Sequence, residues 1–150
     1  MTFVAAVSQE ALAQDCPDTW SSFTIDGSEK CLKSIVNAEI STADSVCKSE
    51  GAKVPLPQND AENDEYHNAF LALGADEGDN VKVALGLNDV AIEGEWRDFA
   101  GYLVTYTNWF DGEPDNFLDM EDYAAMGINS KKWVDCGAAF CRNALIICEK

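Results

Sequence analysis

Between Asp98 and Ser130 the chain carries seven carboxylates (Asp98, Asp111, Glu113, Asp115, Asp119, Glu121 and Asp122) and not one Lys, Arg or His. Like charges brought within a few ångströms raise one another's pKa and oppose compaction. A fold that contains this segment must splay the acids into water, leave some of them protonated, or supply a cation. A solvated loop is the ordinary fate of an acidic run. Here, however, Trp109, Phe110, Phe117 and Met120 interleave the acids, which a merely solvated loop does not need. The balance shifts toward a hard cation, and calcium suits it, taking about six to eight oxygen ligands, mostly carboxylate and carbonyl.

The rest of the chain can support such a segment. At 150 residues, 47 % of them apolar and 10 % aromatic, it is long enough for one domain with a real core rather than a disordered acidic tail. The formal charge of -17 disfavours nucleic acid and anionic membranes as partners and favours cations, mineral surfaces or neutral ligands. No apolar run approaches the length of a membrane-spanning helix, so no membrane insertion is expected. Six widely spread cysteines without a CxxC pair, and a single His, read as disulfides in an oxidising compartment and not as a zinc site. The N-terminal "FVAAVSQEALAQ" ends in an Ala-x-Ala pattern but lacks a basic leader. Residues 1–13 therefore read as an extension or residual signal segment, ahead of a domain over 14–150.

Local patterns give the elements. Apolar Trp20, Phe23 and Ile25, an Asp26-Gly27 turn and then Cys31 and Leu32 predict a hairpin that Cys16 and Cys31 could staple. "STADSVCKSEG" predicts a short helix with Ser41 or Thr42 as N-cap and Gly51 as its stop. A second helix starts at Asn59, which with Glu62 resembles a capping box, and Tyr66, Phe70 and Leu73 continue at helical spacing. His67 is expected to be solvated on that helix. "VKVALGLND" and "ALIICE" read as buried strands and "GEWRDFAG" as a short hairpin limb, whereas Asp98 to Ser130 reads as a long loop.

An EF-hand loop beginning at Asp111 nearly fits, but Asn116 stands at the glycine position, Pro114 sits inside, and no helix flanks it. A better match is spread over the chain. "ADSVCKSEGAKVPLPQNDAEN", "LGLNDVAIEGEW", "YTNW", "GEPDN", "ED", "KWVDC" and the terminal "ICEK" occur in the order of the C-type lectin-like domain. From Cys16 to Lys150 the chain resembles that family. The resemblance implies an α+β fold: two helices, a small antiparallel sheet and a long loop region that binds calcium and sugar.

The same resemblance implies the site. Glu113-Pro114-Asp115 matches the family's tripeptide of two calcium ligands around a cis proline, and Glu121 and Asp135 are implied as further ligands of calcium and of carbohydrate. Where the family has Trp-Asn-Asp this chain has Trp133-Val134-Asp135, so one oxygen ligand and one hydrogen-bond donor are lost. Glu-Pro-Asp is a hybrid of the mannose-type and galactose-type tripeptides, and it leaves the sugar undetermined. A second implied calcium site uses Asp89 and Glu93 with Asp122 and the Glu121 carbonyl, and Asn116 where the family commonly has Asp. Implied disulfides are Cys47–Cys148 and Cys16–Cys31. Tyr123 occupies the family's usual position for the partner of Cys141, so a local Cys136–Cys141 bridge is expected.

Together these features imply a secreted calcium-dependent lectin that binds a carbohydrate or glycoconjugate, as a monomer or a homo-oligomer. The alternative is a binding or assembly protein on the same scaffold, directed at protein, mineral or ice. Catalysis is not expected, because nothing marks one acid as a proton donor.

Overall fold

The Asp26-Gly27 turn joins β1 (Ser21–Ile25) to β2 (Ser28–Ala38) in an antiparallel hairpin with Ile25 opposite Ser28. Both turn residues have positive φ, 48° and 70°, which matches the right-handed twist of the two strands. The computed structural model describes residues 15–75 and 81–150. The expected extension over residues 1–13 lies outside the described residues.

Helix α1 (Ala43–Ser49) follows a short 3-10 turn, and Thr42 stands at its N-cap without capping it, because its hydroxyl donates to the Glu39 carbonyl instead. The chain leaves this helix through Gly51 at φ 64°. Helix α2 (Asp60–Ala72) is capped as its sequence indicates. The Asn59 side chain accepts from the Glu62 N–H at 2.9 Å, and the Glu62 carboxylate accepts from the Gln58 N–H at 2.6 Å. This helix is more buried than expected, and the expectation of a solvated His67 is wrong. At 3.6 residues per turn Asn63, Tyr66, His67 and Phe70 share one inward face. His67 Nε2 lies 2.8 Å from the Ile128 carbonyl, which can only accept, so this nitrogen carries the proton.

The remaining strands are β3 (Lys82–Asn88), β4 (Arg97–Asp98), β5 (Tyr123–Gly127), β6 (Trp133–Cys136) and β7 (Ala144–Glu149). The sheet runs β1-β2-β7-β3-β5-β6, with β4 on β3. It is mixed, not purely antiparallel as expected: β3 and β7 pair in parallel at Val83 and Leu145, and among the described residues the other strand pairs are antiparallel. Side-chain alternation reports faces and not direction, so a sequence pattern cannot distinguish the two arrangements. Strand β5 is a further difference, because it lies inside the segment expected to be loop. Tyr-Ala-Ala-Met-Gly has little β-propensity to announce it, yet Ala124, Ala125 and Met126 are fully buried between β3 and β6.

Alternation along the central strands divides the core into two apolar clusters. Val83, Leu85, Leu87, Met126 and Ile147 join Phe70 and Trp133 in one, and Ala84, Ala125, Ile146 and Cys148 join Ile40 and Cys47 in the other. Successive strand residues face opposite sides, so both faces of the sheet are covered, which accounts for the unbroken apolar run of β3. At Gly86 a Cβ would come within 2.7 Å of the Val54 carbonyl, so only glycine lets the 54–56 segment lie this close to β3. Disulfides Cys16–Cys31, Cys47–Cys148 and Cys136–Cys141 are all formed, and Cys47–Cys148 ties α1 to β7.

Candidate metal centre

The long loop is anchored by aromatic packing before it reaches its acids. Trp133, fully buried, donates its indole N–H to Asn63 Oδ1 of α2 at 2.8 Å and stacks edge-on against Tyr106 and Trp109. Its backbone pairs with the loop stem: Trp133 N–H to the Asn108 carbonyl and Phe110 N–H to the Trp133 carbonyl, both at 2.8 Å. Trp96 closes the stack on Trp109. This stem brings Glu113, Pro114 and Asp115 beside Asp135 of β6. The Glu113-Pro114 bond is cis.

Asp135 fixes the loop directly. Asp135 is 3 % exposed, and its carboxylate accepts from the Asp115 N–H at 3.1 Å and the Asn116 N–H at 2.7 Å. Glu121 Oε2 accepts from the Phe117 N–H at 3.1 Å, and the Asn116 side-chain oxygen accepts from the Glu121 N–H at 3.2 Å. As a result, carboxylate oxygens of Glu113, Asp115, Glu121 and Asp135 all lie within 4.8 Å of one another. Gly137 completes the junction. A Cβ there would strike the Met120 carbonyl, so the β6 exit can lie against the Met120-Glu121 backbone only without a side chain.

A second cluster of three acids forms beside it. Asp89, just past β3, donates its N–H to the carbonyl of Asp122, just before β5, at 3.0 Å, and Glu93 completes a trio whose oxygens also lie within 4.8 Å. Asp89 Oδ2 accepts from the Gly94 N–H at 2.9 Å, which curls the 89–94 loop back over its own carboxylate. Asn116, implied as a member of this site, spends its side-chain oxygen on the Glu121 N–H instead. Val134 packs against the second apolar cluster.

Electrostatics in both clusters run against full ionisation. Burial, with Asp135 next to it, pushes the Glu113 carboxyl up to about 7, and burial with Asp115 and Asp135 nearby does the same for Glu121. Burial and then Asp122 raise Asp89, and burial and then Asp89 raise Glu93. Among the described residues no Lys or Arg forms an ion pair with any of these seven acids. One buried oxygen in each cluster, Glu113 Oε2 and Asp89 Oδ1, has no hydrogen-bond partner. Buried polar atoms are nearly always satisfied, so both clusters have the donor chemistry and the unmet demand that a hard cation answers. The residues present fit calcium.

Sequence reading missed two parts of this arrangement. The clamp of Asp135 on the Asp115 and Asn116 amides has no sequence signal, because it depends on β6 lying under the loop. The local role of Asn116 is likewise set by its left-handed conformation, φ 44°.

This fold, with its carboxylates gathered where the long loop meets β6, is that of a C-type lectin domain, and the family model described as Lectin C-type domain matches residues 36–150. The chain belongs to that family. Among its relatives, tetranectin of Mus musculus is 32 % identical over 125 residues, 80 % of this chain and 59 % of that protein. Tetranectin of Homo sapiens is 33 % identical over 107 residues, 69 % of this chain and 50 % of that protein. The chain thus spans between 50 % and 59 % of the length of these relatives. The mouse scavenger receptor C-type lectin carbohydrate-recognition domain superposes with a TM-score of 0.71 at 26 % identity, over 90 % of this chain and 95 % of that one. The C-type lectin CEL-I from Cucumaria echinata gives 0.75 at 23 % identity, over 89 % and 96 %, and supports the fold.

Proposed function

We propose that this domain is a secreted, calcium-dependent carbohydrate-binding module. One observation carries the reading: four carboxylates packed within 4.8 Å, with a buried unsatisfied oxygen and no ion-paired base, at the exposed end of a lectin-family scaffold. Glu113, Asp115, Glu121 and Asp135 would hold the ion, which when bound offers sugar hydroxyl oxygens a positively charged centre. Ionised Glu113 and Asp115 accept hydrogen bonds from those hydroxyls, and Asp135 keeps the two acids in place through the Asp115 and Asn116 amides. Asp89, Glu93 and Asp122 would hold a second ion that ties the 89–94 loop to the start of β5.

Three disulfides fit an oxidising, extracellular setting. A binding role fits the site better than catalysis. Glycosidases set two carboxyl groups on opposite sides of the scissile bond, about 5 to 9 Å apart, whereas these acids converge on one point. A second reading, a non-sugar binding or assembly protein on the same scaffold, is favoured by Val134, which turns to the apolar cluster and gives the site neither oxygen nor donor.

Retention on immobilised mannose and galactose, with and without chelator, tests the proposal. Elution by EDTA and by free sugar is the expected result. Retention indifferent to both would overturn it in favour of the second reading.

A further inference from the structure

Glu149, at the end of β7, is a charged residue only 2 % exposed. Tyr66 donates its hydroxyl to Glu149 Oε2, and the ammonium groups of Lys30 and Lys53 flank Oε1 at 3.7 and 3.4 Å. Strand pairing brings both lysines here. Lys53 pairs with Glu149 through two backbone hydrogen bonds, at 3.0 and 2.8 Å. Lys30 lies on β2 two residues before Leu32, which faces Glu149 across the ladder. A buried carboxylate needs a counter-charge and a hydrogen-bond donor. Tyr66 and one lysine meet that need, and the second ammonium exceeds it. Both ammonium contacts are longer than the about 2.7 to 2.9 Å of a charge-assisted hydrogen bond, and each ammonium has three donors. Donors are left over.

The two lysines stand at a cavity of about 600 Å³, a volume typical of small-molecule sites. Its wall forms where the 54–56 segment lies on β3, with the Gly86 N–H donated to the Pro55 carbonyl at 2.8 Å. Val54, Leu56 and Phe99 give that wall an apolar surface. Lys48 of α1 adds a third ammonium, held by Asp44 at 2.7 Å. The other acids of the wall accept from backbone amides: Glu62 from Gln58, and Asp98 from Ala100 and Tyr102. Three of the ten basic residues of a chain with formal charge -17 thus meet at one cavity. None of its lining residues belongs to either carboxylate cluster.

We propose that this cavity binds a small organic monoanion, its carboxylate or sulfate group at Lys30 and Lys53 and a flat apolar body against Val54, Leu56 and Phe99. The site is separate from the calcium-dependent one and does not rest on it. A polyanion is disfavoured, because its further charges would meet Asp44, Glu62, Asp98 and the acidic surface beyond them. Each partly exposed ammonium adds about three- to fivefold in affinity, so the pair gives about tenfold.

The test is an NMR titration of the full chain in EDTA with cinnamate, phenyl sulfate, the neutral cinnamamide and inorganic sulfate, following the amides of Val54, Phe99 and Ala100. Cinnamate or phenyl sulfate should shift these amides saturably, and the tighter of the two identifies the preferred anionic group. Cinnamate should bind about tenfold more tightly than cinnamamide. Lys53→Met changes a side chain that is 73 % exposed and leaves Lys30 beside Glu149. It should weaken cinnamate about three- to fivefold and leave cinnamamide unchanged, whereas Lys33→Met, on β2 but outside the cavity, should alter neither. Equal binding of cinnamate and cinnamamide overturns the anion site, as does parental cinnamate affinity in Lys53→Met. Inorganic sulfate that binds as tightly as phenyl sulfate overturns the role of the apolar wall. Cinnamate binding seen in calcium and lost in EDTA places the ligand at the carboxylate clusters and overturns the proposal. Absence of a saturable shift with either organic anion does the same, and leaves the lectin reading standing.

Discussion

At the scale of single residues, Asp135 is the pivot. Its two oxygens accept from two loop amides, and its charge is one of four in the cluster. Asp135→Asn leaves one acceptor oxygen for two loop amides and removes the charge, so calcium affinity should fall by at least about tenfold, and the unfolding temperature in EDTA should fall too, because one of the Asp115 and Asn116 N–H groups loses its partner. Calorimetric titration and thermal unfolding measure the two quantities separately. Unchanged calcium affinity would remove Asp135 from the site. At this scale the sequence was informative about chemistry and silent about environment. The tripeptide and its following acids were implied by the family resemblance, which rests on residue type and order, and the fold brings them together. The burial of His67 could not, because a histidine on a helix looks the same whether Ile128 or water meets its ring.

At the scale of elements, the site depends on how closely β6 and its exit approach the loop. Gly137→Ala should push Met120 and Glu121 away from β6, weakening calcium binding with little change in the far hairpin, and calorimetry with amide hydrogen exchange would show both. Disulfides offer a second comparison. On loop-closure entropy, opening Cys47–Cys148, with a separation of 101 residues, should cost about 4 to 5 kcal/mol, and opening Cys136–Cys141, with a separation of 5, about 2 kcal/mol. Denaturant unfolding of the paired Cys→Ser variants measures that order, and the reverse order would contradict it. Helix α2 and strands β3 and β7 were legible because caps and apolar runs are local. Strand β5 was not, because Ala124 and Ala125 become strand residues only through the neighbours that bury them. The parallel pairing of β3 with β7 was equally hidden, since strand direction depends on topology.

At the scale of the whole molecule, the crowded acids set how stability responds to pH. Glu113 and Glu121 are raised from 4.5 to about 7, so the folded chain binds their protons more tightly than the unfolded chain does. Their contribution to stability is therefore fully present below about pH 4.5 and is lost as the pH rises through about 7. In EDTA, Tm should fall between pH 5.5 and 8. In saturating calcium the trend should flatten or reverse, because the ion favours the ionised acids and stabilises the state that binds it. Differential scanning calorimetry across that range checks the sign, and a Tm that rises with pH in EDTA would contradict it.

Uptake of divalent ions by the carboxylate clusters is the central claim. Its most direct test is a calcium titration of the full chain by calorimetry at pH 7, run in two buffers of different ionisation enthalpy. Saturable binding with an observed heat that differs between the buffers is predicted, because Glu113 and Glu121 must release protons as the ion enters. No saturable uptake at millimolar calcium would contradict it.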